Sequence, residues 1–459
     1  MCDAAATAEQ VLAMTHLGPL DIGFLELEDS DPHISLAIGV VAIIAGPAPS
    51  QEELRIWLDR GLESHARLRQ RVRRTPLDVS GPAWEDDPQF ALAHHIRRTA
   101  LPEPGGEPQL RELVATEITE RLDRDHPLWR ITIVEHLAGD RWALIIRAHH
   151  TMVDGISGIT LLESFCDGPT GAAERGTRSG SRSRNGYFGW WKEILRLPVT
   201  VPLGTVGAIR ALAPVLYSAI VPSPESSLNG ALGQQRRYAV ARAELPEVDE
   251  ICSAQGVTVN DVAIAAITAA YRRLLLLRGE TPVPGELRVV IPVSTRAVGA
   301  KQVLDNRISA TVTELPIHVN DPVERLGLVH RRVREHRARG EVEAEQSLLT
   351  LARRLPAGVV ASVFRVATRF PQHAIGTLAT NVPGPRNRLS LGGREILELW
   401  PCIPTAMRLR TTVAILSYRD RLTFGITADY DSTPDIDTIP SAIETEISVL
   451  LAHARGRRP

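Results

Sequence analysis

The residues best equipped for chemistry are His149-His150-Thr151-Met152-Val153-Asp154-Gly155, an HHxxxDG arrangement at the end of an apolar run. Trp142 to Ala148 (WALIIRA) reads as a buried strand, and Ile156 to Phe165 as the start of a helix. The two imidazoles therefore stand where a strand gives way to a loop, from which a scaffold can present a base to a cavity. Asp154 lies four residues beyond His150, and Gly155 is available to supply an unusual backbone angle for a tight turn. Two adjacent imidazoles with a carboxylate at short range exceed what the end of a core strand needs.

Other chemistries fit these residue types less well. Consecutive strand residues point to opposite faces, so His149 and His150 do not readily share an ion, and no metal site is expected. None of Cys2, Cys166, Cys252 and Cys402 forms a CxxC pair, and there is no HExxH helix. No GxSxG elbow presents a serine, and no cysteine is placed like a nucleophile. A histidine general base remains.

The elements that must position this motif read as a mixed α/β pattern in two parts. Helices are expected over Ser50 to Glu63 (Ser50 as N-cap, Glu53 three residues on), Leu110 to Leu122, Leu245 to Gln255, Val259 to Arg278, Val323 to His336 and Ile436 to Ala452. Ile34 to Ala45 reads as a buried strand, too short for a membrane span of about 20 residues. Arg130 to Glu135 and Trp142 to Ala148 form a hairpin turning at Ala138-Gly139-Asp140. Further strands fall at Leu287 to Val293, Ser309 to Leu315, Thr411 to Tyr418 and Arg421 to Ala428.

At 459 residues the chain suits two domains of roughly 200 residues each. The division expected is 1–170, carrying the histidines, a connecting segment 171–232, and 233–459. Gly171 to Gly186 (GAAERGTRSGSRSRNG) is a polar linker whose arginines are solvated or drawn to anionic headgroups. Leu197 to Pro222 is long and apolar but carries Arg210 and is broken by Pro198, Pro202 and Pro214. It reads as a buried boundary helix or a membrane-surface segment. A formal charge of −2 gives no global field for nucleic acid. Four scattered cysteines, and a start (MCDAAATAEQ) without basic or apolar leader regions, suggest a reducing, cytoplasmic setting.

HHxxxDG is also the signature of CoA-dependent acyltransferases and peptide-synthetase condensation domains. Pro127-Leu128-Trp129, Asn260-Asp261-Val262, Pro292-Val293-Ser294-Thr295-Arg296 and Asn381-Val382-Pro383-Gly384-Pro385 resemble the recurring blocks of the bacterial wax ester synthase/diacylglycerol acyltransferase family. So do Leu20-Asp21-Ile22-Gly23-Phe24-Leu25 and Leu416-Ser417-Tyr418, and the blocks follow the family's order almost from end to end. The wording Met407-Arg408-Leu409-Arg410-Thr411 looks most like mycobacterial triacylglycerol synthases.

The resemblance implies two chloramphenicol-acetyltransferase-like α/β domains with the active site in a channel between them. It implies transfer of a long-chain acyl group from acyl-CoA, a co-substrate rather than a resident cofactor, to the hydroxyl of diacylglycerol. Wax ester synthesis from a long-chain alcohol, and condensation-type transfer from a carrier thioester, are the alternatives; a non-catalytic lipid-binding or droplet-coat protein is a further one. His150 would be the base and His149 a supporting residue. Asp154 would orient the base or, as more often in this superfamily, hold the loop by pairing with an arginine, for which Arg296 is the candidate. Trp129 is expected chiefly to pack the hairpin, with substrate contact as a lesser role. Asn260 and Asp261 sit at a helix start where Thr258 and Asp261 have capping spacing; such an N-terminus could also help hold coenzyme A phosphates. Asn381 would line the channel and offer its amide to the thioester oxyanion. Lipid substrates imply attachment to the inner membrane face or to lipid droplets.

Overall fold

Short apolar strands alternating with helices build two six-stranded sheets in the computed structural model, which describes residues 15–74, 81–167, 226–294, 308–338, 355, 357–369, 372 and 375–456. The first part contains β1 (Thr15–His16), α1 (Pro19–Ser30), β2 (Ala37–Ala45), α2 (Gln51–Ser64), β3 (Gln70–Arg73), β4 (Ala83–Asp86), β5 (Ile96–Ala100), α3 (Glu107–Thr119), β6 (Trp129–Leu137), β7 (Arg141–His149) and α4 (Gly155–Phe165). The second contains β8 (Arg236–Glu244), α5 (Leu245–Gln255), α6 (Val259–Leu277), β9 (Arg288–Ser294), β10 (Ile308–Glu314), α7 (Pro322–Ala338), α8 (Ala357–Ala367), β11 (Thr377–Val382), β12 (Ser390–Leu391), β13 (Arg394–Cys402), β14 (Thr411–Tyr418), β15 (Arg421–Asp429) and α9 (Thr438–Ala454). The Gly171–Gly186 linker, the apolar stretch from Leu197 to Pro222 and Arg296 lie outside the described residues.

Local chemistry explains the elements that matter most here. Ser50 caps α2 in a closed capping box: its hydroxyl accepts the Glu53 N–H, and Glu53 accepts the Ser50 N–H at 2.7 Å. The β6–β7 hairpin turns where expected, with Gly139 at φ +82° and Asp140 at φ +51°. In the first sheet the order is β12-β13-β2-β7-β6-β5, and in the second β10-β9-β11-β14-β15-β8. Strand β2 lies antiparallel to β7 with Ala37 opposite His149, so the catalytic-strand candidate is central and buried on both sides.

The two parts are not sealed off along the chain. Strands β12 and β13 come from the second part yet complete the first sheet, with Cys402 opposite Gly39 on β2. The sheets meet where β13 passes β15. There Tyr238 donates its hydroxyl to the Pro401 carbonyl at 2.9 Å, and a Cβ on Gly425 would stand 1.8 Å from that same oxygen. Only glycine allows the two backbones to approach so closely. Helices α6 and α9 supply much of the core against the second sheet, whereas the core of the first sheet also takes in Ala414, Leu416 and Tyr418 of β14. Among the described residues no single helix is long and apolar enough to cross a membrane.

Candidate active site

Strand β7 alternates its side chains between two environments. Ile146 and Ala148 line a cavity of about 370 Å³ between the sheets, whereas Arg147 faces away from it and is buried against α3. A volume of this size is within the range of small-molecule sites. Its walls come from both parts: α1 (Leu20, Phe24, Leu27), β2, β7 and α4 on one side, and β11, β14 and the β13–β14 loop on the other. Nearly all of the lining is aliphatic. The polar exceptions are His150, Asp154, Thr380, Asn381, Cys402 and Thr412.

His150 stands just past β7, anchored by its N–H to the Leu36 carbonyl at 3.0 Å. Its ring lines the cavity and stacks on Phe24, with centroids 4.4 Å apart and planes inclined by 23°. Burial in apolar surroundings pushes its pKa down to about 4; a hydrogen bond to its own main chain and the nearby Asp154 oppose this, and His149 adds to it. One ring nitrogen of the neutral imidazole carries a lone pair. The ring is neutral across the physiological range and suited to accept a proton.

His149 has a different place. It is buried, with Nε2 3.5 Å from Glu28 Oε2 and Nδ1 2.9 Å from the Thr151 hydroxyl. Thr151 also donates its N–H to Nδ1 at 3.2 Å, which puts the ring hydrogen on Nε2. Burial alone would raise the Glu28 carboxyl, but His149, Arg124 and the Leu36 N–H outweigh it and bring it down to about 2. His149 is thus a neighbour of the reactive ring, not a second cavity group. Sequence reasoning missed Glu28, because no local spacing ties it to His149.

Asp154 caps α4. Its Oδ1 accepts from the Ser157 N–H at 2.8 Å and from the Ser157 hydroxyl at 2.9 Å, and the residue is buried. Gly155 does not adopt the unusual backbone angle expected of it, since its φ is not positive. Its value is steric: a Cβ would meet Val382 at 2.6 Å, so the missing side chain lets β11 close over the motif.

Asn260 and Asn381, 121 residues apart, are brought together, with Asn381 donating its amide to Asn260 Oδ1 at 3.3 Å. Asn381 lines the cavity. Asp261 closes the capping box of α6 with Thr258 and also faces His330 Nδ1 at 2.8 Å. The first turn of α6 thus carries a carboxylate held by Thr258 and His330. Trp129 is not on the wall of this cavity: it stacks on His95 at 4.2 Å and donates its indole N–H to the Leu68 carbonyl at 2.8 Å. Its indole is committed to packing.

Comparison with known proteins agrees with this architecture. Residues 17–263 match the wax ester synthase/diacylglycerol acyltransferase catalytic domain, and residues 304–450 the WS/DGAT C-terminal domain. A Mycobacterium tuberculosis protein named as a probable diacylglycerol O-acyltransferase, tgs1, is 42% identical over 97% of this chain and 97% of its own length. The wax ester synthase/diacylglycerol acyltransferase structure from Marinobacter aquaeolei has a TM-score of 0.67 at 24% identity, covering 96% of this chain and 100% of that one. The first condensation domain of the CDA synthetase shares the fold at 13% identity, with a TM-score of 0.58 over 97% of both chains. The sheet pair, the cavity between the sheets and these matches together make this chain an acyltransferase of the wax ester synthase/diacylglycerol acyltransferase family.

Proposed function

We propose that this enzyme transfers a long-chain acyl group from acyl-CoA to the free hydroxyl of diacylglycerol, giving triacylglycerol, with His150 as general base. The observation that carries the reading is a neutral imidazole on the wall of an aliphatic cavity. The ring lone pair takes the hydroxyl proton as the oxygen attacks the thioester carbon. The C–O bond forms, the C–S bond breaks, and the proton passes to the departing thiolate. Asn381 is the candidate donor to the thioester oxygen: one amide hydrogen goes to Asn260, which orients the group, and the second can serve the oxyanion. The relatives named as diacylglycerol acyltransferases support this acceptor.

The assay that tests this uses purified protein with radiolabelled palmitoyl-CoA, diacylglycerol and hexadecanol in competition. Triacylglycerol should be the main product. Wax ester as the main product would replace the acceptor in this reading, and no ester with no release of CoA would overturn it.

Contact with a lipid surface belongs to the same reading, and α8 supports it. Val359 (45%), Val363 (37%) and Val366 (53%) are exposed at helical spacing, Leu355 (37%) is exposed just ahead of the helix, and of the two arginines on 357–369 Arg365 is paired with Glu26. The opposite face, with Val360, Ala361 and Phe364, belongs to or packs on the core around the cavity. Removing such valines from water contributes about 1 kcal/mol each. Val359→Asp with Val363→Asp should markedly reduce flotation with vesicles containing anionic phospholipid; unchanged flotation would move the contact elsewhere.

A further inference from the structure

Helix α1 touches both histidines, although its Leu20–Leu25 block carries no titratable group aimed at the cavity. Leu20, Phe24 and Leu27 share one stripe along the cavity wall, and Phe24 supplies the ring that stacks on His150. One turn further on, buried Glu28 reaches His149. Glu28 is itself fixed from three sides: Oε1 accepts the Leu36 N–H at 2.9 Å, Oε2 accepts from Arg124 at 2.6 Å, and His149 Nε2 stands 3.5 Å away. Leu36 is also the residue whose carbonyl receives the His150 N–H, so one short segment ties Glu28 to the main chain of both strands. The helix cannot readily slide. A Cβ on Gly23 would lie 2.5 Å from the Phe364 ring of α8, and Glu26 accepts from Arg365 Nε at 2.6 Å.

We propose that Phe24 and Glu28 are positioning residues for the two motif histidines: Phe24 sets the plane of the His150 ring and keeps water from it, and Glu28 locks His149 and thereby the end of β7. This rests on His150 being the base. An imidazole rotates easily about its last torsion, and a flat partner at stacking distance holds it in one orientation. The titratable groups facing His150 are His149 and Asp154; behind His149 lie Glu28 and Arg124, with Asp29 on the far side of Arg124. A residue that merely lined the cavity would change substrate preference and leave the proton affinity of His150 alone.

The test compares Phe24→Ala and Phe24→Tyr in the full-length enzyme, with folding checked by circular dichroism. Phe24→Ala should lower kcat about tenfold or more, as loss of alignment does. It should also move the acid limb of kcat/KM upward toward 6.5, the ordinary histidine value, as water reaches the ring. Phe24→Tyr, which keeps the flat ring, should restore both. A titration of isotope-labelled histidines by NMR, with His150 assigned from a His150→Ala spectrum, reads the same shift without any assay. An upward shift in Phe24→Ala supports the proposal even if His150→Ala proves active, an outcome that would sink only the base reading. A folded Phe24→Ala with His150 titrating as in the wild type would overturn it. For the second half, Glu28→Gln should change the His149 ring nitrogen signals and lower kcat several-fold; unchanged His149 signals would overturn Glu28's role.

Discussion

Replacing His150 by alanine should lower kcat by about 10²–10⁴-fold, the usual worth of a positioned general base. The protein should stay folded. The His150 ring lies on the cavity wall rather than in a core, and the hydrogen bond that anchors the residue uses its main-chain N–H, which alanine keeps. His149→Ala should behave differently. It removes a buried ring beside the carboxylate of Glu28 and the Thr151 hydroxyl, so its first effect should be on thermal stability. Steady-state rates and melting curves on the two variants therefore separate the chemistry of the motif from its support. Equal rate loss at equal stability in both would contradict the division of roles.

The second large effect should come from a residue that touches no substrate. Arg147, two positions before His149, is buried on the face of β7 away from the cavity, with Nη2 2.8 Å from Glu117 Oε2 on α3. It also donates to the main-chain carbonyls of Glu117 and Glu120. Burial holds its pKa below the usual arginine range, and the charge of Glu117 opposes that shift. Glu117→Ala would leave the guanidinium buried with its nearest counter-charge gone, at a cost of about 3–5 kcal/mol. Urea unfolding should show the loss as a lower midpoint. The double variant Arg147→Met, Glu117→Leu should recover most of it, because two apolar side chains avoid the desolvation cost altogether. A Glu117→Ala midpoint equal to the wild type would mean that Glu120, 3.9 Å from Arg147, supplies the compensation.

Much of this site was legible along the chain because its signals are local. A strand ending in two histidines, the Ser50–Glu53 capping box and the turn at Gly139 and Asp140 each lie within a few residues of one another, whereas the capping of α4 by Asp154 was not read. The ordered blocks then supplied the fold through resemblance. What sequence could not give depends on contacts between distant segments. Strand β13 reads as an unremarkable polar-apolar run until it is seen beside β2, completing a sheet whose other long strands lie about 250 to 360 residues earlier. The pairing of Asn260 with Asn381, the stack of Phe24 on His150 and the reach of Glu28 to His149 are of the same kind. Gly155 was misread for a related reason: the constraint on it comes from Val382 across the cavity, not from its own turn.

The most direct test of the central claim is the pH dependence of kcat/KM for triacylglycerol formation by the wild-type enzyme, with circular dichroism at each pH. Sign and range follow from the environment of the base. Protonation removes the ring lone pair that accepts the proton, and burial holds that event down at about 4 rather than 6.5. Activity should therefore stay level as pH falls through 6.5 and decline only near 4. The same depressed pKa makes part of the stability present above 6.5 disappear as pH falls toward 4, which is why folding must be followed in parallel. An acid limb near 4 in folded protein, absent from the residual activity of His150→Ala, is the predicted result. A limb at 6.5 in the wild type, or the same profile with and without His150, would contradict the neutral cavity-wall base on which the mechanism depends.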